Sequence, residues 1–326
     1  MKATAVAPAN IAFIKYWGRT DAALRLPANA SISMNLSASI TTTTVEFSDA
    51  LSQDTIELLE PGGFSEKEIR RVVRQLDVVR NKARTRVFAR VATKNTFPKS
   101  TGAASSASGF AALTVAAASA LGLSLSEKEL TILARVGSGS ACRSIPDGFV
   151  KWEGGDSASS FAHSLYPASY WDIRDVLAIV GSTGKDVSST AGHDSVRTSP
   201  YFLRRLDAVA GRITRIEQAL KDKNFQMLGT VIEEDCLDMH HVMQTQVPPL
   251  LYWSDATRML MDAVRNWRTN GIPVYFTIDA GPNVHLICEG KDEDRVLDAI
   301  KAVSGVENVI LNKPAGGARI STKHLF

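Results

Sequence analysis

The chain has 326 residues, of which 44% are hydrophobic and 22% are charged, and its formal net charge is +3. This length exceeds what a single hydrophobic core usually supports, so we expect two domains. The near-neutral charge, without a run of like charges, disfavours binding to nucleic acid or to an anionic membrane.

The spacing of the cysteines and the length of the apolar stretches predict where in the cell the protein lies. Cys142, Cys236 and Cys288 have no paired spacing. This pattern disfavours a disulfide framework or a zinc motif and favours a reducing compartment, so we expect a cytoplasmic location. The first residues lack a signal-peptide core, and the longest apolar stretch, Gly109 to Leu123, is too short to span a bilayer. We therefore expect no membrane association.

The N-terminal half alternates predicted strands and helices. Apolar alternation predicts strands at Ala3–Ala7, Ile40–Phe47 and Thr85–Thr93. Ser65 with Glu68, and Ser126 with Glu129, form the capping-box pattern that begins a helix. Within the first of these helices, Arg70, Arg71 and Arg74 lie among acidic residues, which predicts a solvent-exposed face.

The C-terminal half is richer in long helices. After a predicted strand at Val176–Val180, helices are predicted at Tyr201–Lys221, Phe225–Met243 and Ser254–Thr269. Strands follow at Pro273–Ile278 and Asn283–Cys288, then a helix at Asp292–Val303 and a strand at Asn308–Leu311. Helix, strand, strand, helix, strand is typical of a ferredoxin-like unit. We expect an α+β protein with domains at residues 1–185 and 186–326.

A Ser- and Gly-rich loop, Pro98–Gly109, follows a predicted strand and runs into an alanine-rich helix. Its small residues would let backbone N–H groups approach a polyphosphate, and the helix N-terminus would add a positive dipole end. The loop lacks the Gly-Lys-Ser/Thr ending of a P-loop. The same pattern is typical of a tightly packed helix start, so both interpretations stay open.

Three further segments have both a functional and a structural interpretation. Gly137–Ser144 ends near Arg143, whose planar fork suits a carboxylate or phosphate, although a helix C-cap glycine and turn would also explain its start. Asp279 follows an apolar strand, where it is either a site acid or a turn residue. Pro8–Arg19 mixes apolar and polar residues and by composition is an amphipathic segment.

Together these segments resemble one enzyme family. The loop Pro98–Gly109 resembles the phosphate loop of the GHMP superfamily of galactokinase, homoserine kinase, mevalonate kinase and phosphomevalonate kinase. Asn10–Gly18, Gly137–Ser144 and Asp279–Asn283 resemble the signatures of diphosphomevalonate decarboxylases, which include a phosphomevalonate decarboxylase branch. The resemblance runs in the same order over nearly the whole chain. It implies a GHMP-kinase fold, with an N-terminal domain like ribosomal protein S5 domain 2, a C-terminal ferredoxin-like domain, and usually a homodimer.

The resemblance also implies a reaction and its residues. ATP with Mg²⁺ phosphorylates the C3 hydroxyl of a 5-phosphorylated mevalonate, which then loses phosphate and CO₂ in isoprenoid biosynthesis. The implied catalytic residues are Asp279, Lys15, Arg143 and Ser106. The implied ATP-binding residues are Ser105, Ser106, Ser108, Gly102 and Lys185. The implied substrate-binding residues are Asn10, Tyr16, Trp17, Arg19, Ser138, Ser140, Arg143 and Ser189. No residue is assigned as a metal ligand.

Each implied role has a physical reason. Asp279 would accept the proton of the C3 hydroxyl or orient that group, and the nearby Lys15 would favour the ionised carboxylate. Arg143 would hold the substrate carboxylate, with Asn10 helping to orient it. Ser106 would contact the transferring phosphoryl group, and Ser138, Ser140 and Ser189 would bind the 5-phosphoryl end.

Departures from the family pattern leave the phosphoryl tail open. Arg19 replaces the usual lysine, Thr190 stands where bacterial relatives often have arginine, and His193 stands where methionine is common. One fewer cation would weaken recognition of a diphosphate, so both the 5-diphosphate and the 5-monophosphate remain candidate substrates, with a lean towards the diphosphate. A GHMP kinase without decarboxylation is a more distant alternative, because it would not need Arg143 or the N-terminal segment Lys15–Gly18. A branch that phosphorylates mevalonate at position 3 without decarboxylation lacks an aspartate–lysine pair, so Asp279 and Lys15 argue against it.

A metal site is the remaining hypothesis. His240 and His241 follow four acids: Glu233, Glu234, Asp235 and Asp238. Consecutive histidines cannot share one helix face, so we predict that the acids form a solvated face rather than a metal site.

Overall fold

The computed structural model describes residues 1–97, 105–181 and 189–326, without the side chains of residues 189–191. The expectations for Gly102, Lys185 and the Ser189 side chain lie outside the described residues. In the described part, no helix combines the length and apolarity that a bilayer crossing requires.

The described residues form a mixed α and β structure. The strands are β1 (Lys2–Ile14), β2 (Arg19–Asp21), β3 (Leu26–Pro27), β4 (Ser31–Phe47), β5 (Thr55–Leu58), β6 (Ala89–Asn95), β7 (Phe149–Trp152), β8 (Ala162–Tyr166), β9 (Ile173–Ile179), β10 (Tyr275–Thr277), β11 (Val284–Glu289), β12 (Asn308–Asn312) and β13 (Arg319–Ser321). The helices are α1 (Glu66–Ala83), α2 (Ser105–Ala120), α3 (Glu127–Gly137), α4 (Ser189–Ser195), α5 (Phe202–Asp222), α6 (Phe225–Thr245), α7 (Asp255–Thr269) and α8 (Glu293–Ile300). Short 3₁₀ helices include Gly139–Ser144.

The first sheet has the order β13-β1-β4-β6-β5, and β7 and β8 extend it beside β4. The threonine run of β4 alternates across the sheet, and Thr43 forms a buried hydroxyl hydrogen bond of 2.8 Å with Thr93 on β6. The alanine-rich helix α2 packs on β1 and β4 with most of its residues buried. Small side chains allow this close approach of helix to sheet.

Both capping boxes are confirmed. The Ser65 hydroxyl accepts a hydrogen bond from the Glu68 N–H, and the Glu68 carboxylate accepts one from the Ser65 N–H. Ser126 and Glu129 make the same reciprocal pair at the start of α3. These contacts satisfy N–H groups that the first helical turn leaves unpaired.

The second sheet has the order β10-β11-β9-β12, with antiparallel pairing throughout. The predicted strand Val176–Val180 is β9, and it pairs with both β11 and β12. A boundary at residue 185 would separate β9 from these partners, so we propose that the second domain begins near residue 173. β13 pairs with β1, so the C-terminal segment returns to the first sheet.

Candidate active site

An acid and an amine meet where the two sheets approach each other. Lys15 directly follows β1, and Asp279 lies in the turn between β10 and β11. Lys15 Nζ lies 2.6 Å from Asp279 Oδ1, and the two side chains are 2% and 26% exposed. Burial alone would raise the pKa of Asp279, but the Lys15 ammonium, His285 and Arg143 together lower it. Asp279 is therefore an ionised carboxylate that is partly open to a ligand.

Residues of both domains hold the backbone of Lys15. Its N–H donates to Asp235 Oδ2 at 2.7 Å, and its carbonyl accepts from Asn29 Nδ2 at 2.9 Å and from Arg205 Nη2 at 3.4 Å. Arg205 and Asp235 pair at 3.0 Å, and both side chains are fully buried. Helices α5 and α6 thereby fix the position of the amine that contacts Asp279.

The expectation of a solvated acidic face on α6 is wrong. All four acids of that face pair with arginines of the neighbouring helices: Glu233 with Arg268, Glu234 with Arg215, Asp235 with Arg205, and Asp238 with Arg212. These arginines come from α5 and α7, so the opposite charges meet only through tertiary packing, which no pattern within α6 alone could reveal. His240 also faces inward, where Nε2 lies 3.2 Å from the Ile278 carbonyl and burial lowers its pKa to about 3.

We expect Arg205→Met to destabilise the fold by about 3 kcal/mol, because Asp235 would keep a buried charge without its closest cation. Arg215→Met is the matched control on the same helix, since its pair with Glu234 has side chains that are 45% and 40% exposed. We expect the control to cost less than about 1 kcal/mol. Urea unfolding of both variants measures the difference. Equal losses of unfolding free energy would contradict the claim that the buried pair of Arg205 and Asp235 stabilises this region.

A buried arginine faces the acid–amine pair without a carboxylate bonded to it. Arg143 lies in the 3₁₀ helix Gly139–Ser144, donates from Nη1 to Ser31 Oγ at 2.6 Å, and donates from Nε and Nη2 to Asn10 Oδ1 at 3.3 and 3.2 Å. Burial lowers the pKa of Arg143, and the negative charge of Asp279 opposes that effect. Within the described residues its hydrogen bonds reach neutral oxygens only, so a cation is held ready for an anionic group.

Asn10 positions this arginine. Its Oδ1 accepts from Arg143, while its Nδ2 donates to Ser144 Oγ at 2.8 Å and to the Ser140 carbonyl at 3.1 Å. Because both ends of the amide are engaged, Asn10 orients the guanidinium. Ser31 and Ser144 complete the support. Neither was given a role from the sequence, although Ser144 is the last residue of the Gly137–Ser144 segment.

Three serine hydroxyls form a row beside Arg143. Ser106 Oγ lies 3.2 Å from Ser138 Oγ, which lies 3.4 Å from Ser140 Oγ. Ser106 belongs to the first turn of α2, where the helix dipole favours negative charge. Since Asn10 bonds the Ser140 carbonyl, a continuous set of contacts runs from Arg143 to the start of α2.

Two implied site residues need correction. Ser108 is fully buried, and its hydroxyl lies 2.7 Å from Thr41 Oγ1, because this side of α2 faces the first sheet rather than the serine row. It does not present its hydroxyl to ATP phosphates. Trp17 is 2% exposed and lies in an apolar cluster with Met239 and Val242, so it packs the domain rather than lining the substrate site.

An open cavity of about 700 Å³ lies between α1, α2 and the first sheet. Apolar side chains such as Val91 and Phe110 line it, together with Ser105 and Ser106 at one side. Arg71 also lines it and donates to the Gly137 carbonyl at 3.2 Å, which corrects the prediction that Arg71 is solvent-exposed. The only signal in the sequence is that Arg71 lies one turn from Gln75, which is buried.

Aromatic rings border the serine row on its other side. The ring of Tyr16 lies 4.6 Å from that of Trp152 and 4.4 Å from that of His193. A Cβ at Gly139 would lie 2.6 Å from the Tyr16 ring, so this glycine allows the ring to rest on the Ser138–Ser140 loop. His193 Nδ1 accepts from the Gly18 N–H at 2.9 Å, and burial lowers its pKa well below the usual value. His193 is therefore neutral.

Cations gather beside Tyr16. Arg19 Nη1 lies 3.7 Å from Asp194 Oδ1. Burial raises the pKa of Tyr16, while the charges of Arg19 and Arg25 oppose that rise. Arg25 was not singled out from the sequence, because it lies in a short turn that carries no motif.

The chain matches known proteins along most of its length. The family model of the diphosphomevalonate decarboxylase-like N-terminal domain matches residues 7–162, and that of the mevalonate 5-diphosphate decarboxylase C-terminal domain matches residues 176–319. Diphosphomevalonate decarboxylase mvd1 of Aspergillus fumigatus is 36% identical over 93% of this chain and 81% of its own length. The diphosphomevalonate decarboxylase of Bos taurus is 35% identical over 86% of this chain and 75% of its own length.

Solved structures show the same fold. The mevalonate diphosphate decarboxylase of Staphylococcus aureus superposes with a TM-score of 0.93 at 37% identity, covering 98% of each chain. A complex of MDDEF with MVAPP, AMPPCP and magnesium has a TM-score of 0.93 at 39% identity, covering 98% of this chain and 99% of that one. The expected α+β GHMP-kinase fold is confirmed. Since two family models span most of the sequence and relatives above 30% identity align along nearly all of it, the chain belongs to the diphosphomevalonate decarboxylase family.

Proposed function

We propose that this protein converts mevalonate 5-diphosphate and ATP into isopentenyl diphosphate, ADP, phosphate and CO₂. The observation that carries the proposal is the contact of Lys15 Nζ with Asp279 Oδ1 at 2.6 Å, beside a buried Arg143 that bonds no carboxylate in the described residues. This arrangement offers one anionic acceptor for a hydroxyl and one cationic anchor for a carboxylate. A 3-hydroxy acid presents both groups on one carbon framework.

The first step is phosphoryl transfer to the C3 oxygen. Asp279 orients the hydroxyl and takes its proton as the new O–P bond forms and the bond to ADP breaks. A carboxylate is a weak base for an alcohol in water, so positioning within hydrogen-bond distance supplies much of the effect. Lys15 keeps Asp279 ionised and offsets negative charge that develops on the reacting oxygens.

The second step is loss of phosphate and CO₂. The C3–O bond breaks with its electron pair leaving on phosphate, and the electron pair of the bond to the carboxylate carbon then forms the alkene. Arg143 holds the carboxylate so that the bond to the carboxylate carbon is aligned with the breaking C3–O bond. Its own position is fixed by Asn10 and Ser31, which limits reorganisation during the step.

The residues of the large cavity fit a nucleotide. Its apolar walls at Val91 and Phe110 suit a base, and Ser105 and Ser106 lie at the N-terminus of α2, where phosphates bind well. We therefore propose that ATP binds in this cavity, with its γ-phosphoryl group towards Ser106. Mg²⁺, which proteins hold largely through substrate phosphates and water, would enter with the nucleotide and offset its charge. A solved neighbour that contains AMPPCP and magnesium supports ATP and Mg²⁺ as the cofactors.

The relatives support the diphosphate over the alternatives. The curated relatives are named diphosphomevalonate decarboxylases, and two neighbouring structures contain MVAPP. The 5-monophosphate remains the alternative substrate, and a GHMP kinase that stops after phosphorylation remains the alternative reaction. A kinase would have no use for a buried arginine held beside the acid–amine pair.

One assay tests this function. Purified protein is supplied with MgATP and, separately, with mevalonate 5-diphosphate and mevalonate 5-phosphate, while ADP, phosphate and labelled CO₂ are measured. We expect equimolar ADP, phosphate and CO₂, and a higher kcat/KM for the diphosphate. ADP without CO₂ would identify a kinase, a preference for the monophosphate would identify the other branch, and no turnover with either would overturn the proposal.

We also propose that the protein is cytoplasmic and acts as a homodimer. Its three cysteines are free and buried, and burial raises the pKa of Cys142 to about 12, so none depends on an oxidising compartment. The dimer is supported by the family resemblance. Sedimentation equilibrium tests it, and a single species at the 35.2 kDa mass of one chain would contradict it.

A further inference from the structure

Two arginines from different elements bind neighbouring carbonyls at the end of α3. Arg25, in the turn between β2 and β3, donates from Nε to the Val136 carbonyl at 2.9 Å. Arg71, on α1, donates from Nη2 to the Gly137 carbonyl at 3.2 Å. The next residue is Ser138, the middle hydroxyl of the serine row. Two guanidinium groups therefore border the serine row.

Arg25 and Arg71 lie close enough to repel each other, and few acids lie near them. Burial, Arg71 and Arg19 together lower the pKa of Arg25 to about 10. The acids that influence them are Asp194, whose side chain is 60% exposed, and Glu68, which caps α1 through Ser65. Within the described residues, neither Arg25 nor Arg71 bonds a carboxylate, and Arg71 Nε is buried without a partner.

Helix capping alone does not account for this cluster. A cation near a helix C-terminus is stabilising, but a second one at the adjoining carbonyl gains less and is repelled by the first. Half-buried like charges with few acids nearby repel one another, and a bound anion would relieve that repulsion. The cluster is therefore built to receive a group with several negative charges.

The two arginines serve different sides of the serine row. Arg71 lines the cavity that we assign to the nucleotide. The charge of Arg25 instead acts on Tyr16 and on His193, which border the Ser138–Ser140 loop away from that cavity. With the carboxylate at Arg143 and the hydroxyl at Asp279, the remaining arm of the substrate extends towards this second side.

We propose that Arg25 is a specificity-determining residue that, together with Arg19, holds the terminal phosphoryl group of a 5-diphosphate tail. This inference rests on the proposed function, because it assigns a residue to one end of the same substrate. A terminal phosphoryl group adds anionic oxygens beyond those of a monophosphate, and a guanidinium can bind two of them at once. Arg25 would therefore contribute to binding of the diphosphate and little to binding of the monophosphate.

The test compares Arg25→Gln with wild type on mevalonate 5-diphosphate and on mevalonate 5-phosphate, each with saturating MgATP. We expect KM for the diphosphate to rise about ten- to a hundredfold, the scale of one lost charged hydrogen bond, with a change below about threefold for the monophosphate. Arg25→Lys should recover part of the diphosphate affinity, since it keeps the charge but not the fork. Arg74→Gln, which removes an exposed charge from α1, is the matched control and should leave both substrates unchanged.

The outcomes separate this inference from the proposed function. If wild type turns over neither substrate, the proposed function fails. If wild type is active and Arg25→Gln raises KM equally for both substrates, Arg25 only supports the end of α3 and does not distinguish a diphosphate from a monophosphate. That result overturns the inference. An unchanged KM for the diphosphate overturns it as well. Thermal unfolding of each variant confirms that the comparison is made on folded protein.

Discussion

Asp279→Asn is expected to lower kcat by about 10³-fold or more, while the protein stays folded and still binds substrate. The amide can accept the hydrogen bond from Lys15, so the 2.6 Å contact keeps a partner of nearly the same shape. It cannot take a proton from the C3 hydroxyl. Single-turnover measurement of ADP formation reports the phosphoryl-transfer step directly, and the loss should appear in that step.

Asp255→Asn is the matched control for this prediction. Asp255 lies in the first turn of α7, and its side chain is 98% exposed. We expect its rate to stay within about twofold of wild type, because surface substitutions of this kind have small effects. A folded Asp279→Asn enzyme that keeps near-wild-type phosphoryl transfer would remove Asp279 from the reaction.

Lys15→Met is expected to produce the second large effect and to change the pH dependence. Lys15 is the chief group that opposes the effect of burial on Asp279, so its loss should raise the pKa of that carboxylate. In wild type the lowered pKa keeps Asp279 ionised down to acidic pH. In the variant, the acidic limb of the kcat/KM profile should move to higher pH, with kcat reduced about 10²-fold or more even where Asp279 is ionised.

The same substitution has a stability consequence with a defined sign. A carboxylate with a lowered folded-state pKa contributes stability above its unfolded pKa, and this contribution is lost as pH falls through the folded value. Lys15→Met should remove that contribution at neutral pH. Lys82→Met, which breaks the exposed pair with Glu129, is the control and should shift neither the profile nor the stability by much. If the acidic limb of the kcat/KM profile of Lys15→Met stays at the wild-type pH, Lys15 does not lower the pKa of Asp279.

Local patterns in the sequence were sufficient for the long helices, although the short helix α4 was not predicted. The capping boxes at Ser65 and Ser126 depend on residues three positions apart, and both form as the pattern predicts. The strands β7, β8 and β13 were not predicted, because their pairing depends on partners far along the chain: β13 pairs with β1 across more than 300 residues. The boundary that we propose near residue 173, in place of 185, has the same origin, since β9 pairs with strands that follow residue 185.

Motif resemblance identified the centre of the site but not its supports. Lys15, Asp279 and Arg143 were selected by their motifs, and the structure brings them together. The buried pair of Arg205 and Asp235 was missed because an acid on one helix and an arginine on another give no signal until the helices pack. The motif also included Ser108 and Trp17, which tertiary packing turns away from the cleft.

Transfer of ¹⁸O from the substrate tests the central chemical claim most directly. Mevalonate 5-diphosphate labelled with ¹⁸O in the C3 hydroxyl is turned over with unlabelled MgATP, and the inorganic phosphate is analysed by mass spectrometry. If the hydroxyl held at Asp279 attacks the γ-phosphoryl group and the C3–O bond then breaks, each phosphate carries one labelled oxygen. Unlabelled phosphate, with the ¹⁸O released into water, would show that the hydroxyl is never phosphorylated.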